Sequence, residues 1–479
     1  MIWPLRETLM RFPGVSEPWT IGDACQHTQI FGSPGSGKTS GSGYQIASAF
    51  LTKGFGGLVL AAKTSEVGLW KAMAKEHGRG GDLVIVDSTG SVPFNFMDYE
   101  LRRGGAGGGD PGGIVDLFFE LNRLRDERPG QGGGGENEQF FKDNTGRLIR
   151  AAVTVATLAT GEASLPFIEE LIDDSPNSPE DVGDPEWCRA SVLAQALVQV
   201  REDRWESLTE DQRIGFERAE GYWLNAWPKL PDKTRESIKA TYQGISDQFL
   251  EGRYRRLFCS ETRIVPEVTH HGTIVVLDLP PSEHGVFGRV AQVLFKHMWQ
   301  QATLRRISKT GKPEGRMRPV FLWADESQNF ITSLDSRFLN EAREAKAAVV
   351  YLTQGLPNYD AVLGRDRTRS MLNSLGTKVF HALGDADTID YATRLAGQQT
   401  VFRESVRSNA QRTQAGRMSG PEVGYQESEE SVLSTGDFYG LAKGDNRDKI
   451  VEAMLIMAGR RWPPNDQPCY RWRMYRRGS

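Results

Sequence analysis

Short runs of consecutive apolar residues recur along the chain and alternate with longer segments of helical periodicity. Such a run, bounded by polar or glycine residues, is typical of a parallel strand that is covered on both faces. Helix-compatible segments lie between several of the runs, for instance at 67–78, 286–306 and 338–346. This alternation predicts an α/β fold with a doubly wound, mainly parallel sheet. The predicted strands lie at residues 27–31, 57–61, 82–87, 273–278, 319–325, 348–353, 377–381 and 450–457.

The pattern changes between the third and the fourth apolar run. Glycine-rich stretches at 104–113 and 130–135 predict loops at the entry to this region. From 138 to 257 the periodicity is helical and no convincing strand pattern occurs. We therefore expect an all-α domain inserted into the α/β domain. The expected divisions are 1–103 for the first part of the α/β domain, 104–262 for the glycine-rich loops and the inserted domain, and 263–479 for the second part of the α/β domain.

A phosphate-binding sequence follows the first predicted strand. Residues 32–39 read Gly-Ser-Pro-Gly-Ser-Gly-Lys-Thr and match the pattern G-x-x-x-x-G-K-[ST]. The glycines allow the backbone to aim several N–H groups at one point, and the following helix adds a positive dipole there. Lys38 is expected to contact the β- and γ-phosphates, and Thr39 to hold Mg²⁺ through its hydroxyl. The residues predicted to bind ATP are Gly32, Ser33, Pro34, Gly35, Ser36, Gly37, Lys38, Thr39 and Ser40.

Two acidic residues end the predicted strand at 319–325. Carboxylates at the C-terminal end of a parallel strand project into the crevice where ligands bind. In a chain with a phosphate-binding loop, we expect Asp325 to coordinate Mg²⁺, directly or through water, and Glu326 to orient and deprotonate the attacking water. Gln354, at the tip of the next predicted strand, could sense the γ-phosphate or hold that water, or it could be an ordinary loop or capping residue. From its local sequence alone, Arg343 is a surface arginine.

Composition and charge narrow the function classes. Hydrophobic residues make up 38% and charged residues 25% of the 479 positions, which is typical of a globular protein. Because the net charge is −4, DNA binding would have to rest on local basic patches. Arginines interleaved with aromatic residues at 460–477 could stack bases, or could form a terminal strand with solvated arginines, which is the interpretation we favour. Neither a signal peptide nor an apolar run approaching about 18 residues is evident, which predicts a cytoplasmic protein.

Taken together, the motifs resemble those of the VirD4/TraG/TraD family of type IV coupling proteins, the DNA-pumping ATPases of bacterial conjugation and type IV secretion. Besides the phosphate loop and the Asp-Glu strand, Ser-Val-Pro-Phe-Asn-Phe at 91–96, the stretch at 372–397 and Trp-Pro-Pro at 462–464 carry the likeness. The resemblance implies a RecA-like P-loop NTPase motor that carries an all-α domain and assembles as a homohexameric ring around DNA. It also implies a role for Arg343, which occupies the place of an arginine that reaches the neighbouring subunit's nucleotide from the helix between the Asp-Glu and Gln strands.

The function expected from this resemblance is that of a soluble ATPase, with ATP and Mg²⁺ as cofactors, which translocates DNA or a nucleoprotein substrate. Its expected partners are DNA in the ring channel, a relaxase or other secretion substrate, and a membrane-anchored or secretion-channel protein. Such a partner, or a missing segment, would hold it at the inner face of the bacterial membrane. Two alternatives stay open, namely a HerA/FtsK-like translocase in repair or phage defence and an ATP-gated platform that docks cargo. The helical insertion and the stretch at 372–397 favour the coupling-protein motor over these alternatives. They do not identify the cargo or the strandedness of the DNA.

Overall fold

The computed structural model describes residues 2–105, 108–126, 136–308, 316–407, 422–445 and 447–477. All eight strands predicted from the apolar runs are present, as β3 to β9 and β12. The strands are β1 (Thr8–Met10), β2 (Trp19–Thr20), β3 (Thr28–Phe31), β4 (Gly56–Leu60), β5 (Leu83–Asp87), β6 (Ile274–Asp278), β7 (Val320–Ala324), β8 (Ala347–Thr353), β9 (Thr377–Phe380), β10 (Gln398–Arg407), β11 (Glu422–Ser431), β12 (Ile450–Met457) and β13 (Tyr470–Tyr475).

Helices connect most of these strands, and short 3₁₀ and π turns lie between them. A π-helical turn, Thr39–Gly43, leads into the second helix. The helices are α1 (Ile21–Ala24), α2 (Tyr44–Thr52), α3 (Thr64–Glu76), α4 (Phe96–Arg102), α5 (Pro111–Asp126), α6 (Glu136–Thr160), α7 (Leu165–Asp173), α8 (Pro185–Ala190), α9 (Val192–Gln199), α10 (Glu210–Gly221), α11 (Asp232–Leu250), α12 (Gly252–Phe258), α13 (Pro281–Ser308, kinked at Gly285), α14 (Asp335–Glu341), α15 (Leu356–Leu363), α16 (Arg365–Asn373), α17 (Ala386–Ala396) and α18 (Thr435–Tyr439).

The chain divides into two compact units, of which the first comprises Met1–Phe55, Lys312–Gln328 and Ser333–Ser479. Its main strands lie in the order β13-β12-β9-β3-β8-β7. The strands β9, β3, β8 and β7 run parallel, whereas β12 is antiparallel to β9 and β13 is antiparallel to β12. Every residue of β3, β7, β8 and β9 is buried, as the continuous apolar runs predict. Because these four strands are parallel, their C-terminal ends meet at one edge of the sheet.

The second unit comprises Gly56–Gly311 and Asn329–Thr332. Its strands β4, β6 and β5 are parallel and lie in that order. Between β5 and β6, the described residues form helices, turns and loops and contain no strand, in agreement with the helical periodicity of this region. The domain boundaries 1–103, 104–262 and 263–479 stay a prediction.

Part of the predicted glycine-rich loop is helical. The helix α5 begins at Pro111, so the last three residues of the stretch at 104–113 form its first turn. A proline is well tolerated at this position because the first helical N–H needs no intrahelical partner, and Asp110 accepts a hydrogen bond from Gly112 N–H. Residues 106–107 and the glycine-rich stretch at 130–135 lie outside the described residues.

The arginine-rich end of the chain forms the predicted terminal strand. In β13, Trp472 and Met474 are buried, whereas Arg471 and Arg473 are exposed and lie near the carboxylate of Glu452. The antiparallel hairpin of β10 and β11 was not predicted, and its tip lies outside the described residues. In the described part of the chain, a membrane-spanning length of apolar helix is reached only by the pair Phe140–Thr160 and Leu165–Asp173 taken together across a bend of 114°, and by no single helix.

Candidate functional site

The phosphate-binding sequence forms a tight loop between β3 and α2. Gly35 and Gly37 have φ angles of 72° and 88°, which glycine adopts without steric cost. A Cβ atom on Gly32 would lie 2.4 Å from Ser36 Oγ and 2.7 Å from His381 Cβ. A Cβ atom on Gly37 would lie 2.6 Å from Val451 Cγ1. A side chain is therefore excluded at Gly35 by the backbone conformation, at Gly32 by close packing and at Gly37 by both.

Neighbouring strands hold this loop at its entry and at its exit. Gly32 N–H donates to Thr353 O (3.3 Å), at the end of β8, and Ser33 N–H donates to Ala382 O (2.9 Å), just after β9. At the exit, Arg477 N–H donates to Ser40 O (2.8 Å). The loop is thus attached to three segments that lie more than 300 residues later in the chain.

Lys38 is buried within the loop that precedes it. Its Nζ donates to Gly32 O at 2.7 Å and lies 3.4 Å from Ser33 O. The ammonium group therefore sits inside the ring of loop backbone where phosphates would be held. A compact positive charge with three donors is the chemistry that a phosphate-binding lysine supplies.

Thr39 and Asp325 bring a hydroxyl and a carboxylate together. Thr39 Oγ1 lies 2.5 Å from Asp325 Oδ2, and Asp325 follows directly after β7. Burial raises the pKa of Asp325, while the Thr39 hydroxyl and the Lys38 ammonium act in the opposite direction. A threonine hydroxyl beside a strand-end carboxylate matches the oxygen donors that hold Mg²⁺ in P-loop enzymes, so this pair fits the predicted metal.

Glu326 is held in place by the backbone and by two glutamine side chains. Its φ angle is 45°, and its N–H donates to Asp325 Oδ1 at 2.9 Å. Gln328 Nε2 donates to Glu326 Oε2 at 2.9 Å, and Gln354 Nε2 lies 3.3 Å from Glu326 Oε1. Thr353 Oγ1 in turn donates to Gln328 Oε1 at 2.8 Å. A carboxylate oriented in this way is suited to accept a hydrogen bond, and then a proton, from a water molecule.

The sequence prediction identified Asp325, Glu326 and Gln354, but it missed Gln328. The signal was present, since Gln328 comes two residues after Glu326 in the turn that follows β7. His381 was also missed. It is fully buried beside the loop, and its Nε2 lies 2.7 Å from Ser42 Oγ in the π-helical turn. Burial, together with the Lys38 charge, lowers the pKa of His381 to about 3, which keeps the imidazole neutral.

Arg343 does not lie on a helix, so that part of the prediction is wrong. The helix α14 ends at Glu341, and Arg343 is exposed in the turn that leads to β8. Lys346 closes this turn with a φ angle of 48°, and its buried Nζ donates to Trp3 O at 2.9 Å. This tertiary contact overrides the helical propensity of 342–346. Among the described residues, no hydrogen bond or ion pair joins Arg343 to Lys38, Glu326 or Gln354, so its proposed function in a neighbouring subunit's site stays a prediction.

Comparisons with known proteins found one family model and several solved structures that resemble this chain. The family model described as the TraM recognition site of TraD and TraG matches residues 319–443, which include Asp325, Glu326, Arg343 and Gln354. No curated protein matches the chain significantly.

Solved structures of a bacterial conjugative coupling protein resemble the whole chain. The unbound monoclinic form of TrwBΔN70 matches 99% of this chain and 90% of its own, with a TM-score of 0.57 and 13% sequence identity. TrwB in complex with the non-hydrolysable ATP analogue ADPNP matches 98% and 91%, with a TM-score of 0.57 and 12% identity. TrwB in complex with ADP and Mg²⁺ matches 99% and 90%, with a TM-score of 0.55 and 13% identity.

At these identities the structural likeness establishes the fold. The predicted RecA-like α/β fold with a mainly parallel sheet is therefore confirmed. The predicted resemblance to the VirD4/TraG/TraD coupling proteins is confirmed by the family model and the TrwB structures together.

Proposed function

We propose that this chain is an ATP-hydrolysing motor that moves DNA or a nucleoprotein substrate during conjugation or type IV secretion. The observation that carries the proposal is the cluster at the C-terminal edge of the sheet, where the Thr39 hydroxyl meets Asp325 while Gln328 and Gln354 hold Glu326. A phosphate loop, a hydroxyl and a carboxylate that can hold Mg²⁺, and a second, oriented carboxylate together suit phosphoanhydride hydrolysis.

Each residue of this cluster would have its own function in hydrolysis. Lys38 and the loop backbone would hold the β- and γ-phosphates of ATP, and Thr39 and Asp325 would hold Mg²⁺. When bound, Mg²⁺ neutralises charge that develops on the transferred phosphoryl group. Glu326 would take the proton of the attacking water, while the two glutamine amides keep its carboxylate in one orientation. The nucleotide and metal found in the TrwB complexes support this choice of cofactors.

A ring of six subunits would complete the motor. The exposed position of Arg343, in the turn between α14 and β8, leaves its guanidinium available to a neighbouring subunit's nucleotide. A ring would also bring basic loops of a protein with net charge −4 together on one channel, where DNA would pass.

A docking function for a partner protein is the second part of the proposal. The segment 319–443 resembles a part of TraD and TraG described as a TraM recognition site. We therefore infer that the surface of this segment binds a protein of the DNA-processing complex that presents the substrate. A membrane-anchored or channel protein would receive what the motor delivers.

DNA-stimulated ATP turnover tests the motor. The purified chain should hydrolyse ATP with Mg²⁺, and DNA should raise the rate in a manner that falls steeply with salt, because phosphate contacts release counterions. The variant Lys38→Ala should lose turnover while it remains folded. Displacement of a third strand from a DNA triplex should accompany hydrolysis in wild type. Slow turnover that DNA does not change, combined with tight binding of a cargo protein, would support an ATP-gated platform instead of a motor.

A further inference from the structure

A cavity lies within the helical part of the second unit. It has a volume of about 1170 Å³ and runs between α6 and α10, with the segment 108–112 along one side. We call it the α6–α10 groove. Pockets for small organic ligands usually measure roughly 300–1,000 Å³. The groove shares no lining residue with the phosphate loop, and the proposed hydrolysis makes no use of it.

Three arginines give one end of the groove a positive charge. They are Arg147 and Arg150 on α6 and Arg218 on α10, and all three are exposed. Among the described residues, none of them forms a side-chain hydrogen bond or an ion pair. The nearby Arg201 differs, because it donates to Glu220 and stacks on Trp205. The charge in the groove is therefore not neutralised by the acidic side chains around it.

A buried hydroxyl lies at the same end. Tyr222 lines the groove, and its hydroxyl oxygen is buried without a hydrogen-bond partner among the described residues. Burial raises the pKa of Tyr222, and the charge of Arg147, which lines the same groove, opposes this rise. Buried polar groups in proteins are normally satisfied. An anionic oxygen held by the arginines would accept a hydrogen bond from this hydroxyl.

The other end of the groove differs in chemistry. The helices α6 and α10 pack against each other and line the groove over a similar length, and an antiparallel pair fits the effect of the Arg147 charge on Tyr222. Thr157 and Leu158 of α6 therefore lie opposite Asp211 and Gln212 of α10. This end offers an acceptor, an amide and an apolar side chain, which suit sugar hydroxyls and the edge of a base. Small side chains between the two ends leave room for a ring, namely Ala151, Gly215 and Ala219.

We propose that the α6–α10 groove binds a nucleoside monophosphate. The phosphate lies against Arg147, Arg150 and Arg218 and accepts from the Tyr222 hydroxyl, and the nucleoside points toward Asp211 and Gln212. The distribution of charge favours a compact ligand over a nucleic acid strand. Asp110 and Asp211 also line the groove, so a chain of phosphates along its length would meet repulsion, whereas a monophosphate places its charge at the basic end only.

Calorimetric titration of the full-length Lys38→Ala chain tests the proposal, because this variant removes the triphosphate site. AMP, GMP, CMP and UMP are the probes, with inorganic phosphate and the unphosphorylated nucleosides as partial ligands. At least one monophosphate should bind with a stoichiometry of one per chain. Because charge-assisted hydrogen bonds to phosphate are strong, Arg150→Gln or Arg218→Gln should weaken it about 10-fold or more. Arg189→Gln, which changes an exposed arginine on α8, is the matched control and should leave binding unchanged.

The variant Tyr222→Phe should fold like wild type, since it removes only a hydroxyl that has no partner among the described residues. Weaker binding by this variant therefore reports on the groove and not on unfolding. The folded Tyr222→Phe chain should bind the monophosphate several-fold more weakly. The proposal is overturned if no monophosphate binds, if the two groove arginines can be replaced without effect, or if inorganic phosphate binds as tightly as the nucleotide. Displacement of the probe by a single-stranded oligonucleotide with the same arginine dependence would make the groove a DNA contact instead. Failure of ATP turnover in wild type would leave these titrations unaffected, so the two proposals fail separately.

Discussion

His27 should make the stability of the first unit depend on pH. This residue comes just before β3, the strand that leads into the phosphate loop, and it is 1% exposed. Its Nε2 lies 2.9 Å from Leu339 O, and its Nδ1 accepts from Val349 N–H at 3.2 Å. This pairing requires the neutral ring with its proton on Nε2, because a proton on Nδ1 would face the Val349 N–H. The geometry thus favours the unprotonated form.

The size of the effect follows from the shift in pKa. Burial lowers the pKa of His27 from 6.5 to about 4, and the hydrogen bond to Leu339 opposes the shift only in part. Each pKa unit corresponds to about 1.4 kcal/mol, so the neutral ring contributes about 3 kcal/mol in total. Because the unfolded chain binds the proton more readily, this contribution is complete above pH 6.5. It is lost progressively as the pH falls from 6.5 through 4.

Urea unfolding at a series of pH values measures this loss. Between pH 7 and pH 4.5, the free energy of unfolding of wild type should fall by about 2–3 kcal/mol more than that of His27→Asn, a residue that tolerates the φ angle of 67° at this position. His271→Gln is the control, since His271 is exposed. Parallel pH profiles for wild type and His27→Asn would refute the reasoning, whatever the difference in absolute stability.

Three further variants test the site itself. Glu326→Gln should bind ATP yet lose roughly 10²–10⁴-fold in single-turnover rate, because an amide cannot take the proton of water; lost affinity with an unchanged rate would contradict this role. Arg343→Ala should nearly abolish turnover, by about 10³–10⁵-fold, and mixing it with Lys38→Ala should restore part of the activity. Mixed assemblies that stay inactive would exclude action between subunits. Gly41→Ala places a Cβ atom 2.9 Å from Val451 Cγ1 and should lower the free energy of unfolding by about 1–3 kcal/mol. In a double-mutant cycle with Val451→Ala, the two losses should not add, because the smaller side chain relieves the clash; simple addition would rule out this clash.

The parts of the site that the sequence predicts well are those that short-range physics determines. The phosphate loop is defined by the spacing of its glycines and Lys38, and the strand before Asp325 by a run of buried apolar residues. Each of these signals lies within about ten residues of chain. Parallel strands then bring their C-terminal ends together, so the meeting of Thr39 with Asp325 follows from the topology.

The parts that the sequence predicts poorly depend on tertiary contacts. The hydrogen bond between His381 and Ser42 joins residues that are 339 positions apart, and no local sequence pattern predicts it. The helix before Arg343 stops at Glu341, and Lys346, which closes the following turn, donates to Trp3 O, more than 340 positions away in the sequence. The hairpin of β10 and β11 was missed for a different reason. Its residues are mostly polar, so they lack the apolar run by which the buried strands were recognised.

The position of β3 in the sheet has a consequence for the synthesis of the protein on the ribosome. This strand leaves the ribosome before both of its neighbours, β8 and β9, which are made more than 300 residues later. At about 5–20 residues per second, β3 waits roughly 20 s to 1 min before either neighbour exists. During synthesis an apolar strand and a glycine-rich loop are therefore exposed without partners, and the nucleotide pocket can close only after β8 and β9 have been made. A chaperone that covers nascent chains would protect β3 and the phosphate loop during this interval.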